Sequence, residues 1–153
     1  MNFIIASYPT NGTHDYYWPK EEKWEGTTRD LIYQNIRIAT GDQKQRCYCC
    51  GLTFEVFFRS YQLYCEEHHY PFTILDFSPA QVTKFRLQWY GSSGNKDCSF
   101  GAITNNKLGI AIPHLEDAQK GDFVQFWRES GSGHSVIFIS WEYQHGQIIG
   151  IRY

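Results

Sequence analysis

The stretch RCYCCGLTFEVFFRSY, Arg46 to Tyr61, puts three of the chain's five cysteines within four positions and then turns aromatic. Phe54, Phe57, Phe58, Tyr61, Tyr64 and Cys65 follow one another at helical spacing. The spacing predicts a helix over Cys50–Glu67, finished before Pro71. A cysteine cluster at the head of a helix admits three chemistries: a metal knuckle, a disulfide network, or a nucleophile.

The cysteine count argues against a disulfide scaffold. Five is odd, and Cys47, Cys49 and Cys50 bunch together while Cys65 and Cys98 stand apart. A zinc site would draw on Cys47, Cys49, Cys50, Cys65, His68 and His69. Cys47 and Cys49 are too close for the usual knuckle. The helix between Cys49 and Cys65 separates the two groups by about 24 Å at 1.5 Å per residue. The nucleophile reading has a direct physical warrant. A thiol needs a lowered pKa to attack near neutral pH, and the unpaired N–H groups of a helix N-terminus supply that lowering. Cys49 stands one residue ahead of the predicted helix. Gly51 permits close approach of backbone and substrate, and the helix-start amides can hold an oxyanion.

Around this stretch the sequence reads as one α+β domain over residues 1–153. Such a length buries about two-thirds of the unfolded surface, so no staple is required. A net charge of −2 without a basic block gives nucleic acid no footing. No apolar run approaches the roughly 20 residues of a membrane span. Phe3–Ala6 is too short for a signal-peptide core and has no basic lead. The compartment stays open: cytoplasmic, or a mature form whose leader is gone. Phe3–Ser7 reads as a short strand and Tyr8–Gly26 as irregular. Thr27–Tyr33 reads as a short helix with a threonine cap. Ser78, Pro79 and Gln81 form a capping box with proline at the first helical position. That second helix shows Val82, Phe85 and Trp89 on one face and closes at Gly91, which opens a polar loop to Asn95. The last third changes period. Phe123–Trp127, Ser135–Trp141 and Gln147–Tyr153 read as strands, apolar on both faces and therefore central. Helices first and strands last predict an α+β layering, N-terminal helices on a C-terminal antiparallel sheet.

A cysteine nucleophile needs a base. His134 follows Gly131-Ser132-Gly133, a flexible lead, and opens the strand HSVIFISW. From that position it can face a helix N-terminus packed across the sheet.

Cys49-Cys50-Gly51-Leu52 resembles the Cys-Ser-Gly-hydrophobic start of the catalytic helix in NlpC-type cell-wall peptidases. GDFVQFW followed by GHSVIFIS resembles their Gly-Asp strand and Gly-His strand. The pair is also similar to the CHAP amidohydrolases, where a tryptophan closes the first strand as Trp127 does here. The likeness covers Tyr33 to Tyr153 and implies a papain-like fold. It implies that Cys49 attacks an amide carbonyl and that His134 holds the thiolate and protonates the leaving amine. The substrate would be a peptidoglycan stem peptide or a similar amide, met outside the cytoplasm, with no cofactor. The backbone of Cys49 and Cys50 would hold the oxyanion. Tyr33, as an upstream tyrosine, and Gln43, six residues before Cys49 as in papain-like enzymes proper, compete for the remaining oxyanion role.

The chain departs from that pattern. Tyr48 stands where the family has Asp, Cys50 where it has Ser, and 85 residues separate Cys49 from His134. The family takes its orienting third residue from the strand after the histidine strand. With Tyr143 paired to Gly146 across the turn, the position opposite His134 falls beyond Tyr153. Gln147 is the remaining polar choice on that strand, and His145 reads as exposed. The alternative is a catalytically inactive papain-fold module binding glycan or peptide on Tyr16, Tyr17, Trp18 and Trp24. A serine hydrolase has less support. Ser132 and Ser135 lie in no nucleophile elbow, and Asp15, Glu21 and Glu22 read as a solvated loop.

Overall fold

The computed structural model describes residues 1–19, 24–92, 94 and 96–153. Glu21 and Glu22, and two positions of the glycine-rich loop, Ser93 and Asn95, lie outside them. The chain is mixed α and β. Its centre is helix α2, Cys49–Glu67, which starts one residue before the position the spacing suggested. Phe54 and Phe58 lie fully buried along it, with Val56 and Phe57 beside them. Burying each such side chain contributes about 1.5–3 kcal/mol, so α2 is held mainly by what packs on it.

Helix α3, Pro79–Trp89, packs across α2. It forms as its caps predict: Gln81 N–H donates to Ser78 Oγ, and Ser78 N–H donates back to Gln81 Oε1. At its other end Gly91 takes a φ of 69°. There Gly91 N–H reaches Gln88 C=O and Ser92 N–H reaches Leu87 C=O, which closes the last turn. Trp89 is completely buried between Phe54, Phe57 and Phe85, and its indole N–H donates to Thr53 Oγ1 at 3.1 Å. A third helix in this layer, α4 (Cys98–Asn105), was not foreseen; a glycine and two β-branched residues leave it little helical signature.

Two expectations about the N-terminal third are overturned. Asn2–Ala6 is a helical turn, α1, not a strand: Ile5 N–H bonds Met1 C=O and Ser7 N–H bonds Ile4 C=O, so its backbone is satisfied internally. Thr27–Tyr33 is not a helix. Thr28 uses its N–H and its hydroxyl on the buried carboxylate of Glu55, at 2.7 and 2.8 Å. The chain then continues as strand β1, Leu31–Tyr33, paired antiparallel with β2, Ile36–Ala39. Gln34 and Asn35 both take positive φ in the two-residue turn between them.

The C-terminal strands form, but not as one central sheet. β3 (Phe123–Trp127) pairs with β4 (Gly133–Ile137), and β5 (Ser140–Gln144) pairs with β6 (Gln147–Arg152). The expected strand Ser135–Trp141 breaks at Phe138, whose N–H turns to Asp122 C=O and whose C=O takes Gly121 N–H. Among the described residues each strand therefore has one strand neighbour, and β6 is mostly exposed. The β3–β4 hairpin packs on the helices through β4 against α2 and through Phe123, whose ring meets Trp89 edge-on at 5.0 Å. Gly131-Ser132-Gly133 is less loose than its composition suggests. Arg128 N–H bonds Ser132 C=O and Gly131 N–H bonds Arg128 C=O, a tight turn that delivers His134 into β4. Among the described residues no helix is long and apolar enough to cross a membrane.

Candidate active site

Cys49 is the first residue of α2, and its N-cap Tyr48 is extended. The helical ladder begins with Leu52 N–H to Tyr48 C=O at 2.9 Å. The N–H groups of Cys49 and Cys50 precede that ladder and make the helix start favourable for negative charge. Gly51 does permit a close approach, but to backbone rather than substrate. A Cβ there would lie 2.2 Å from the Gly26 carbonyl oxygen. The Gly26 loop thereby lies directly on the helix start, and Tyr48 N–H bonds its carbonyl.

Strand β4 carries His134 to the same place. Its ladder partner is Phe126 on β3, and its imidazole reaches the Cys49 sulfur. Because β4 is paired along one edge only, the Ser135 N–H also bonds that sulfur. The Cys49 thiol falls from 9.0 to about 5. The largest cause is the Cys50 thiol, which donates to the Cys49 thiolate; burial opposes ionisation; the Ser135 N–H, the His134 hydrogen bond and the His134 charge then add to the lowering. Cys50 is driven strongly the other way by the same hydrogen bond and by burial, so it keeps its proton as donor. Burial raises Cys98 too. Of the three thiols lining the cavity, Cys49 alone is lowered. Cys47, beneath the site, is pushed up to about 11, first by burial. Among the described residues, none of the five cysteines forms a disulfide.

Tyr16 completes the group. A parallel bridge joins Tyr16 to Cys47, with Tyr17 N–H on Cys47 C=O and Cys47 N–H on Asp15 C=O. The Tyr16 hydroxyl bonds the Cys49 sulfur, and its ring stands edge-on to His134 with centroids 6.4 Å apart. Burial, then the charge and hydrogen bond of Cys49, raise this phenol to about 12, so it remains a donor. On the far side of the imidazole the Tyr153 ring packs edge-on at 5.8 Å. Cys49, Cys50, Tyr16 and His134 line a cavity of about 360 Å³ together with Trp18, Gln125, Arg128 and Ser135.

Three anticipated residues are elsewhere. Tyr33 is fully buried in the core, its hydroxyl donating to Phe77 C=O at 2.8 Å and accepting from Ile74 N–H at 3.1 Å. Gln43 is exposed on a turn organised by Asp42, whose carboxylate accepts the Lys44 and Arg46 N–H groups. Gln147 is exposed at the turn end of β6, paired with Gln144. The β5–β6 register is Tyr143↔Ile148 and Gln144↔Gln147, so the Tyr143–Gly146 pairing does not occur. Cys65 is buried near the far end of α2, away from the cluster that a zinc site would need.

Two contributors had no residue-level signal. Tyr16 was visible only as one of several N-terminal aromatics, because a parallel bridge to Cys47 leaves no trace in spacing. The Ser135 N–H belongs to backbone geometry. Of the aromatic platform, Tyr16 and Trp18 line the cavity, while Trp24 packs against Tyr48 and the core. Compared with known proteins, the chain matches no family model, no curated protein and no solved structure.

Proposed function

We propose that this chain is a cysteine amidohydrolase or peptidase with a papain-like arrangement, as its resemblance to NlpC-type and CHAP domains implies. The observation that carries the reading is the lowered thiol of Cys49 at a helix start, bonded to a strand-borne histidine inside a cavity. The Cys49 thiolate attacks the amide carbon, and the carbonyl electrons pass to its oxygen. The Tyr16 hydroxyl and the first N–H groups of α2 are the donors available to that oxyanion. Collapse of the intermediate breaks the C–N bond as His134 delivers a proton to the departing amine. Water, deprotonated by His134, then cleaves the thioester and restores the thiolate. The resemblance supplies the substrate class, a peptidoglycan stem peptide or similar amide.

A second reading is favoured by one observation. No carboxylate or carboxamide among the described residues hydrogen-bonds the His134 ring; its neighbours are the rings of Tyr16 and Tyr153. A binding module that has lost its chemistry would also present Trp18 and Tyr16 at the cavity rim. Iodoacetamide at pH 6 with peptide mass mapping separates the two. Rapid labelling of Cys49 alone, slowed in His134→Ala, is expected for the enzyme, followed by hydrolysis of amide substrates. Slow and equal labelling of all five cysteines would sink it in favour of the binding module.

A further inference from the structure

Cys49 and His134 border two cavities. Besides the one already described, a second of about 270 Å³ opens beside the pair. Its walls include Ile5 of α1, Leu52 and Val56 of α2, and Val136, Ile137 and Ile139 at and after β4, with tyrosines, Thr53 and Ser135 between them. Leu52 and Val56 stand three and seven residues beyond Cys49, so they lie on the helix face that carries the nucleophile. The first cavity is the more polar of the two: Gln125, Arg128 and Ser132 line it and are absent from the second. The Cys49 sulfur therefore sits on the seam between a more polar chamber and a more apolar one.

Resting on the amidohydrolase reading, we propose that the apolar cavity holds the acyl half of the substrate, an aliphatic chain or a large apolar side chain attached to the scissile carbonyl. Its volume equals that of roughly nine waters at about 30 Å³ each, and an apolar cavity gains by exchanging water for hydrocarbon. The assignment of halves follows from deacylation. The attacking water must arrive where the leaving amine stood, within reach of His134, while the acyl group stays bonded to Cys49. Water enters the chamber that holds Gln125, Arg128 and Ser132 more readily than the more apolar one walled by Leu52, Val56 and Val136. The amine side is therefore the polar cavity and the acyl side the apolar one. Thiolate attack forms the Cys49–acyl bond and breaks the C–N bond, the amine leaving with the proton from His134; attack by water reverses the first and releases a carboxylic acid.

Two measurements test the assignment. In the first, p-nitrophenyl acetate and p-nitrophenyl octanoate acylate the wild-type protein. Nitrophenolate release gives the rate, and peptide mass confirms Cys49 as the site. Each buried methylene favours the longer ester by about fourfold, so a preference of at least about tenfold for octanoate is expected. Filling the cavity in Leu52→Trp should bring that ratio towards one. In the second, Cys49→Ala binds N-octanoylglycine and N-acetylglycine in a calorimeter, which needs no turnover and no cavity-filling variant. Binding at least about tenfold tighter for the octanoyl compound is expected. A reactive Cys49 with equal rates for the two esters overturns the acyl pocket and leaves the amidohydrolase standing. A Cys49 inert to both esters and to iodoacetamide, with equal binding of the two glycines, overturns both.

Discussion

The hydroxyl of Tyr16 bonds the sulfur of Cys49 although the two residues belong to different parts of the chain, one in an irregular N-terminal segment and one at a helix start. A donor that rests on the thiolate in the free protein is close enough to bind the oxygen that forms when the thiolate attacks. Tyr16→Phe keeps the ring against His134 and removes the donor. We expect kcat to fall by about 10²- to 10³-fold, as for loss of one oxyanion donor, with KM little changed. Steady-state kinetics on an amide substrate reads this directly; a kcat within twofold of wild type would remove Tyr16 from the oxyanion role.

The Cys50 thiol is the main support of the Cys49 thiolate. A depressed thiol is ionised above its folded pKa, so alkylation of Cys49 should rise through about pH 5 and be level by neutral pH. Cys50→Ala removes the largest lowering contribution, and the midpoint should move upward by about one unit, the effect of one weak charge-assisted hydrogen bond. His134→Ala should move it in the same direction. Iodoacetamide rates across pH 4 to 9 give all three midpoints. A Cys50→Ala profile superimposed on wild type contradicts the role assigned to that thiol.

Tyr153 packs its ring edge-on against the His134 imidazole. It also meets Phe126, the ladder partner of His134, with centroids 6.3 Å apart. Tyr153→Phe should retain near-wild-type kcat because the ring remains. Tyr153→Ala frees the imidazole to rotate, and misplacement of a catalytic group can cost up to about 10²-fold. We expect a loss of at least about tenfold in kcat, with the acid limb of Cys49 alkylation moved upward as the imidazole leaves the sulfur. Equal activity in the two variants would show that the ring does not position His134.

Glu55 is buried with five groups on its carboxylate: the N–H and hydroxyl of Thr28, the hydroxyl of Tyr8, and the guanidinium groups of Arg29 at 3.3 Å and Arg59 at 3.8 Å. Truncating it strands those donors. Glu55→Ala should destabilise the fold by about 3 kcal/mol, as for breaking a buried charged cluster, read from urea denaturation. Thr28→Ala removes only one of the five and should cost about 1 kcal/mol. Equal losses in the two variants would mean that Glu55 is not the hub of the cluster.

What the sequence made legible follows from range. The α2 helix and the α3 caps are written in contacts three or four residues apart, and both form where the spacing and capping box put them. Cys49 and His134 were legible because a helix start and a strand mouth are local features with chemical meaning. Tyr33 looked suitable for an oxyanion role by its order in the chain, yet its hydroxyl is committed to Phe77 and Ile74 in the core. Thr27–Tyr33 looked like a capped helix because nothing local reveals the carboxylate 27 residues beyond Thr28. The three C-terminal segments carried a sound strand signal. Apolar residues on both faces suggested burial within one sheet, but strand pairing is a long-range choice, and Phe138 divides the run into two hairpins.

Residues 1–19 place no side chain in the hydrophobic core cluster and reach the buried Glu55 only through the Tyr8 hydroxyl, yet they carry Tyr16 to Cys49 along the bridge to Cys47. On the proposed function, most of what holds the fold and part of what the site needs thus come from different parts of one polypeptide. Such a molecule is divisible. A protein cut between residues 19 and 24 should fold around α2 without its N-terminal piece and remain nearly inactive. Adding residues 1–19 as a separate peptide should restore hydrolysis in a saturable way, giving a catalyst assembled by strand recognition; a cut protein that is fully active alone would refute that division of labour.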